Sequence, residues 1–187
     1  MDSAAGPVVY RIDAGDRLSS VNAEWDRFAV ENGAAELRSG RVLARTIWDF
    51  IADPTTRHLY ETALAQVRAG REVRFPFRCD GPQIRRFLEM AATAAGEGGV
   101  EFRVRTLKTE SRAAVRLLDP EVPRAGEPLR MCAWCKRVVA GGAYLEVEDA
   151  IAALGLFDAP VLPPVTHGIC PACEARMSEK FGLSPRA

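Results

Sequence analysis

Glu72-Val73-Arg74-Phe75-Pro76-Phe77-Arg78-Cys79 is the stretch that decides the fold of the N-terminal part of the chain. Apolar residues and Cys79 stand at every second position, with arginine or proline between them. A period of two is typical of a strand with one buried face and one solvated face. We therefore predict a half-buried strand in which Cys79 is a small core residue and Arg74 and Arg78 face solvent.

Four further segments have strand character, namely residues 8–12, 17–21, 85–92 and 101–107. In the last of them, Phe102 and Val104 point to one side, and Arg103 and Arg105 point to the other. The N-terminal part is therefore predicted to contain five strands.

Helices are predicted where capping residues precede apolar residues at helical spacing. Asn22 is suited to cap one helix, and Asp53-Pro54 is suited to open a longer one that Gly70 ends. A proline-rich stretch at 120–128 is followed by a short helix over about 146–154 and a final helix whose first turn contains Pro171.

The composition narrows the classes of function. Of the 187 residues 48% are hydrophobic, enough for a real core, and Lys plus Arg equals Asp plus Glu at 25 each. After Pro120 there are seven basic and eight acidic side chains, a balance that disfavours nucleic acid as a partner. We expect no signal peptide, because the first residues lack a basic start and an apolar run, and we find no apolar stretch long enough to cross a membrane. We expect no membrane contact and a cytoplasmic location, where paired cysteines serve metal binding or redox chemistry.

Two Cys-x-x-Cys pairs, Cys132 with Cys135 and Cys170 with Cys173, are separated by 34 residues. A two-residue gap lets one tight turn offer both sulfurs to one ion, and two such turns complete a tetrahedron. We predict a structural zinc held by these four thiolates. His167 is expected to donate a hydrogen bond to a thiolate, or alternatively to replace one cysteine as a ligand.

Two other chemistries suit the same cysteines. A Cys-x-x-Cys pair at a helix start, as in residues 170–173, is typical of a redox dithiol. Four thiolates also bind an iron–sulfur cluster. We favour zinc over both because two matched pairs fit one tetrahedral ion best.

The order of two strands, short helices, a longer helix and three strands resembles that of a PAS domain over about residues 10–107. The stretches that carry the resemblance are 20–28 (SVNAEWDRF), 47–51 (IWDFI) and 75–80 (FPFRCD). A second resemblance is carried by two stretches together, residues 131–138 (MCAWCKRV) and residues 167–173 (HGICPAC). They look like the Cys-rich tail that follows PAS-type domains in some bacterial signalling proteins.

The resemblance implies an α+β fold, a PAS-like five-stranded antiparallel sheet with helices on one face, plus a small C-terminal zinc-binding module. We accordingly place a PAS-like sensor domain at 8–110, a connecting segment at 111–130 and the Cys-rich module at 131–183. Such sensor chains often continue into a kinase or cyclase, for which we expect no room here.

The resemblance also raises the question of a bound small molecule. Trp25, Phe28, Trp48 and Phe50 are either ordinary core aromatics or the lining of an internal ligand pocket. Some PAS sensors carry a haem-ligating histidine where His58 lies, but its polar neighbours favour an exposed helix face, so we rank haem below zinc. Flavin is not expected, because the Cys-centred motif of flavin-binding relatives is missing.

The arginines of two strands mark a candidate surface for a protein partner. Arg74, Arg78, Arg103 and Arg105 would all lie on the side of the sheet away from the helices. This face is either simply solvated or receives an acidic helix, since guanidinium pairs bidentately with carboxylate. The helix would come from another protein, a second copy of the chain in a homodimer, or the segment near Glu121 and Glu127.

No catalytic constellation is found in the sequence, which has no glycine-rich phosphate loop, no elbow-type serine motif and no paired carboxylates beside a base. We expect no enzyme. The sequence predicts a cytoplasmic signalling or adaptor protein that binds a ligand or a protein partner. The alternatives are a thiol redox sensor and a zinc-dependent nucleic-acid-binding regulator with a basic cluster at Arg130, Lys136 and Arg137.

Overall fold

The computed structural model describes residues 6–183. Its strands are β1 (Val8–Ile12), β2 (Leu18–Val21), β3 (Val73–Arg78), β4 (Ile84–Ala95), β5 (Gly99–Ser111), β6 (Leu129–Cys132), β7 (Val138–Ala140), β8 (Ala143–Leu145) and β9 (Val165–Gly168). Its α-helices are α1 (Ala23–Glu31), α2 (Ser39–Val42), α3 (Pro54–Arg68), α4 (Val147–Ala153) and α5 (Pro171–Lys180). Short 3-10 helices cover Ala35–Leu37, Ile47–Asp49 and Arg116–Leu118.

The chain divides into two compact units. The first comprises the residues up to Pro76 together with Leu88–Leu107, and the second comprises Phe77–Phe87 together with the chain from Lys108 onward. Strands β3, β4 and β5 therefore have residues in both units. The predicted domain limits at 8–110, 111–130 and 131–183 stay predictions.

The first unit is built on a five-stranded antiparallel sheet with the strand order β2-β1-β5-β4-β3. Strand β1 lies between β2 and β5 and runs antiparallel to both, so that Tyr10 lies opposite Val21 and Phe102. The Tyr10 ring stacks on Phe102 with centroids 4.6 Å apart and meets Trp25 edge-on at 5.2 Å. The buried face of this sheet thus joins helix α1 through aromatic contacts.

The helices form where the capping residues predicted them. Asn22 caps α1 by accepting a hydrogen bond from the Trp25 N–H at 3.1 Å, and Asp53 caps α3 by accepting one from the Thr56 N–H at 2.8 Å. Pro54 stands in the first turn of α3, and Gly70 follows its end with a φ of +86°. The apolar residues of α3 are buried, as predicted from their spacing: Leu59, Ala63, Leu64 and Val67.

Strand β3 follows its predicted alternation only in its first half. Val73 and Phe75 are buried and Arg74 is exposed, but Arg78 is buried and Phe77 is only half-buried. The prediction that Arg78 faces solvent is therefore wrong. The physical reason is that β3 enters the second unit at Phe77, and in that unit the carboxylates of Asp80 and Glu146 pair with the Arg78 guanidinium.

The second unit contains a four-stranded sheet in the order β8-β7-β6-β9. Strand β6 pairs antiparallel with β7 and parallel with β9, with Cys132 opposite Gly168. Helix α4 buries its apolar side in the core formed by Val115, Leu117, Met131, Val138, Ala140, Val147, Ala150, Ile151 and Leu162. Two of these residues come from the segment 111–130, which thus packs into a core as well as connecting.

The α+β class, the five-stranded antiparallel sheet with helices on one face and the C-terminal module with its cysteines agree with the predicted fold class. Among residues 6–183, no helix combines the length and the apolar character needed to cross a membrane.

Candidate metal centre

The parallel pairing of β6 with β9 explains how distant cysteine pairs meet. Cys132 ends β6, and Cys170 follows β9 by two residues. Because the two strands run in the same direction, both pairs lie at the same end of the sheet. The Ala133 N–H donates to the Gly168 carbonyl at 2.7 Å and ties the two turns together. The 34 residues between the two pairs contain β7, β8, α4, the loop before β9 and β9 itself.

All four cysteine sulfurs lie within 4.8 Å of one another. The Cys135 and Cys170 sulfurs are 3.7 Å apart, far beyond the roughly 2.05 Å of a disulfide, and all four cysteines are free thiols. Four ligands at about 2.3 Å from a tetrahedral zinc lie about 3.8 Å from each other. The sulfurs are therefore close to the spacing that one four-coordinate ion requires.

Backbone N–H groups point at the sulfurs within each turn. The Cys132 sulfur accepts from the N–H of Cys135 at 3.5 Å and from the N–H of Cys170 at 3.4 Å. The Cys170 sulfur caps α5 by accepting from the Cys173 N–H at 3.4 Å. Such donors, and the positive end of the helix dipole, stabilise thiolates. Lys136 completes the first turn in the left-handed conformation, with a φ of +61°.

The thiols are electrostatically linked. Hydrogen bonds from the Cys135 and Cys173 thiols lower the pKa of Cys132, with help from the backbone N–H groups of Cys135 and Cys170. The same contact with the Cys132 thiolate raises the pKa of Cys135 to about 11. A divalent cation bound by the four sulfurs would hold all of them as thiolates.

The donor set fits a single soft ion. Tetrahedral sulfur ligation is typical of zinc or iron–sulfur sites. An iron–sulfur cluster places two or four irons between the thiolates, which need to be farther apart than the ligands of one ion. The four sulfurs lie within 4.8 Å of one another, a spacing that favours a site with a single metal ion over a cluster. Cys132, Cys170 and Cys173 are buried and Cys135 is half-buried, as expected for a closed site.

His167 does not join the four-sulfur group. It lies on β9 opposite Met131 and is exposed. Although the residue is exposed overall, partial loss of hydration around its ring lowers the pKa of His167; the charge of Lys136 lowers it further, and Cys132 opposes the shift. Arg176 does contact a cysteine sulfur: its Nη2 donates to the Cys173 sulfur at 3.7 Å.

Sequence reasoning missed the contact of Arg176 with the Cys173 sulfur, although the three-residue spacing of the two positions could have indicated it. Arg176 follows Cys173 by three residues on α5, and residues three apart on a helix face each other.

The four candidate pocket aromatics do not share one environment. Trp25 donates its indole N–H to the Leu37 carbonyl at 2.6 Å, and Trp48 donates to Asp16 at 3.0 Å. Phe28 is half-buried on α1. Phe50 is 40% exposed and carries the Arg45 guanidinium over its ring, so it does not line an internal pocket. A pocket bounded by the other three aromatics stays a prediction.

The two remaining single-residue candidates, His58 and Cys79, are not members of the four-sulfur group. His58 is exposed on α3, the environment that its polar neighbours predicted. Cys79 is half-buried, and burial raises the pKa of its thiol. It is not part of the four-sulfur group.

Three of the four candidate docking arginines share the uncovered sheet face of the first unit. The side chains of Arg74, Arg103 and Arg105 are 52%, 54% and 59% exposed. They pair with glutamates of the same face: Arg105 with Glu89 at 2.8 Å, Arg103 with Glu101 at 3.3 Å and Arg74 with Glu72 at 2.5 Å. These residues surround a shallow depression of about 170 Å³ whose lining includes Ala91 and Thr93. Arg78 does not belong to this face.

Arg78 instead joins a partly buried ionic network in the second unit that the sequence did not reveal. It pairs with Asp80, whose side chain is fully buried, and with Glu146 at 2.7 Å. Arg112 reaches Glu148 at 3.1 Å and the Gly81 carbonyl at 2.7 Å. Burial opposes the charged form of Arg78, but Asp80 and Glu146 outweigh it and raise the pKa. The network joins the tip of the β3–β4 hairpin to the start of α4.

Similarities to known proteins are confined to solved structures. No protein-family model matches the sequence, and neither does any curated protein. The photoactive yellow protein domain of the sensor histidine kinase Ppr from Rhodospirillum centenum is 14% identical, with a TM-score of 0.41 over 53% of this chain and 84% of that one.

Two further solved structures have weaker similarity. A sensory box sensor histidine kinase from Vibrio cholerae is 9% identical, with a TM-score of 0.38 over 55% of this chain and 82% of that one. A domain of an HTR-like protein from Haloarcula marismortui is 12% identical, with a TM-score of 0.37 over 55% and 98%. At these TM-scores the fold assignment rests on strand order and burial alone.

Proposed function

We propose that this chain is a cytoplasmic, bacterial-type signalling or adaptor protein without enzymatic activity. In it, a PAS-like domain binds a small ligand or a protein partner, and a structural zinc holds the C-terminal module together. The observation that carries the metal assignment is the approach of four cysteine sulfurs to within 4.8 Å of one another. The five free thiols are compatible with a reducing compartment.

Zinc is the metal that best suits this donor set. It has no redox chemistry, takes four thiolates in a tetrahedron and tolerates a closed, buried site. Cys132, Cys135, Cys170 and Cys173 would be its ligands. The role of the zinc is structural, because cysteine sulfurs fill all four of its coordination positions and leave none open for water or substrate.

The test is metal analysis of protein purified without added metal. We expect one zinc per chain in the parent and in Cys79→Ser, the matched control, because Cys79 lies outside the cluster. Cys132→Ser and Cys173→Ser should lose the metal and destabilise the second unit, since the binding energy of a structural site is also folding energy.

The same experiment separates zinc from the thiol redox alternative. A metal-free parent that loses two thiols per equivalent of peroxide, and regains them on reduction, would support a redox sensor and contradict the zinc assignment. Full zinc in a Cys132→Ser, Cys173→Ser double variant would contradict the proposed ligands.

We also propose that the uncovered sheet face of the first unit binds an acidic helix from a partner protein. Four exposed cations support this proposal, namely Arg11, Arg74, Arg103 and Arg105, against Glu72, Glu89 and Glu101 in the same surface. Exposed ion pairs contribute only about 0–1 kcal/mol each, so partner carboxylates can replace them at little cost. Ala91 and Thr93 keep part of the depression free of long side chains.

A further inference from the structure

The tip of the β3–β4 hairpin, residues 77–87, makes a direct backbone contact with the first cysteine turn. The N–H of Arg78 donates to the carbonyl of Trp134 at 2.7 Å. Trp134 lies between Cys132 and Cys135, and its side chain is buried. The carbonyl in the middle of the metal-binding turn is therefore held by the hairpin.

A second route joins the same two elements through one carboxylate. Glu146 accepts from Arg78 Nη1 at 2.7 Å and from Arg137 Nε at 3.1 Å. Arg137 follows Cys135 by two residues, and its carbonyl accepts from the Cys132 N–H at 2.8 Å. Glu146 thus bridges a guanidinium of the hairpin and a guanidinium at the end of the metal-binding turn.

Arg78 is itself held in one orientation. Its guanidinium pairs with the fully buried Asp80, and its own side chain is only 10% exposed. Asp80 is also approached by Arg112 at 3.5 Å. A planar guanidinium fixed by two carboxylates has little freedom to move, so both contacts with the cysteine turn have a defined geometry.

We propose that Arg78 is a positioning residue for the metal site, holding the turn 132–135 in the conformation that presents both sulfurs to the ion. This inference rests on the proposed zinc site. Arg78 does not touch the sulfurs in any described contact; it acts through Trp134 and through Glu146 and Arg137. Groups that orient metal ligands in this way typically change metal affinity by about 10–100-fold.

The test compares zinc release from the full-length parent and its variants to an excess of a chromophoric chelator. Arg78→Ala should release zinc about tenfold faster, and Arg78→Lys should be intermediate because lysine keeps the charge but not the fork. Arg74→Ala is the matched control, since Arg74 lies on the same strand but pairs with Glu72 and Glu89. Its release rate should equal that of the parent.

A spectroscopic readout separates positioning from a loss of overall stability. In the cobalt-loaded proteins, a turn that presents its sulfurs differently shifts the absorption bands of the metal, whereas lower stability alone leaves them in place. We expect shifted bands for Arg78→Ala and parent-like bands for Arg74→Ala.

Glu146→Gln keeps the inference testable if Arg78→Ala does not fold. Glutamine preserves the shape of Glu146 but removes the charge shared by the two guanidiniums, so we expect release about threefold to tenfold faster. Release within twofold of the parent in both Arg78→Lys and Glu146→Gln, with unshifted cobalt bands, would overturn the inference. A parent without metal would overturn the proposed zinc site itself, which is a distinguishable result.

Discussion

Arg176 and His167 stand in different relations to the thiolates. Arg176 donates to the Cys173 sulfur at 3.7 Å, whereas His167 is exposed on β9 and outside the four-sulfur group. A cation that donates to a thiolate stabilises its charged form, which is the form that binds metal. At the residue scale, we therefore assign the supporting role to Arg176 first.

We predict that Arg176→Ala weakens zinc affinity by about tenfold, and that His167→Ala weakens it less. Equilibrium competition with a chelator of known affinity measures both. Arg176→Lys serves as a control for charge, and should restore part of the affinity. A larger loss in His167→Ala than in Arg176→Ala would show that the histidine is the more important partner.

Asp26 supplies a pH-dependent contact in the first unit. Its carboxylate accepts from the Ser39 N–H at 2.6 Å and from the Ser39 hydroxyl at 2.7 Å. These hydrogen bonds outweigh desolvation and lower the pKa of Asp26 from 3.8, and the charge of Arg38 lowers it further. A depressed pKa in the folded state means that stability is present above the unfolded pKa and is lost as the pH falls through the folded one.

We predict that Asp26→Asn destabilises the first unit at pH 7 and that this difference shrinks as the pH is lowered below about 3.8. Urea unfolding at a series of pH values measures the effect. Asp49→Asn is the control because Asp49 is exposed and pairs only with the exposed Arg45 at 3.2 Å among its described contacts. An Asp26→Asn effect that is equal at pH 7 and pH 3 would contradict the assignment.

At the scale of single elements, Asn22 connects a strand to a helix. Its Oδ1 accepts from the N–H groups of Trp25 and Val9 at 3.1 and 3.0 Å, and its Nδ2 donates to the Pro7 carbonyl at 2.9 Å. One side chain thus caps α1 and fixes the start of β1. An N-cap side chain that also makes hydrogen bonds to a strand contributes more to the free energy of unfolding than a cap that bonds to its helix alone.

We predict that Asn22→Ala lowers the free energy of unfolding of the first unit by about 1–2 kcal/mol, in the upper part of the range for loss of an N-cap. Tryptophan fluorescence during urea unfolding follows Trp25 and Trp48 in this unit, together with Trp134 in the second unit. Asn22→Asp keeps the cap but loses the bond to Pro7, so it should cost less. Equal stability of the parent and Asn22→Ala would show that the cap contributes nothing.

On the scale of the whole molecule, the uncovered sheet face is a surface of alternating charge. Its arginines are paired with glutamates of the same face, so it is not the bare arginine surface that the strand pattern suggested. Paired surface charges retain exposed donors, and a partner with several carboxylates can engage them together.

We predict that an Arg74→Glu, Arg103→Glu double variant weakens association with the partner, and that added salt weakens association of the parent in the same way. Sedimentation and capture of partners from cell extract measure this, with Arg41→Glu, at an exposed position of α2, as a control. If the double variant sediments and captures partners as the parent does, the face is merely solvated. If only self-association is lost, the occupant is a second copy of the chain.

The sequence by itself determined the features that depend on neighbours a few residues away. The caps at Asn22 and Asp53, the end of α3 before Gly70 and the alternation through Phe75 were all readable, because turns and periodicity are short-range. The four candidate metal ligands, Cys132, Cys135, Cys170 and Cys173, could be predicted for the same reason, because the two-residue gap within each pair is a local spacing.

Only the tertiary structure decided how distant segments meet. Parallel pairing of β6 with β9 brings the two cysteine pairs together across 34 residues, and no local pattern encodes that pairing. The strand alternation assigns Arg78 to solvent, but its side chain is buried because Asp80 and Glu146 pair with its charge. Electrostatic partners far apart in sequence override a local pattern when they compensate for the cost of burying a charge.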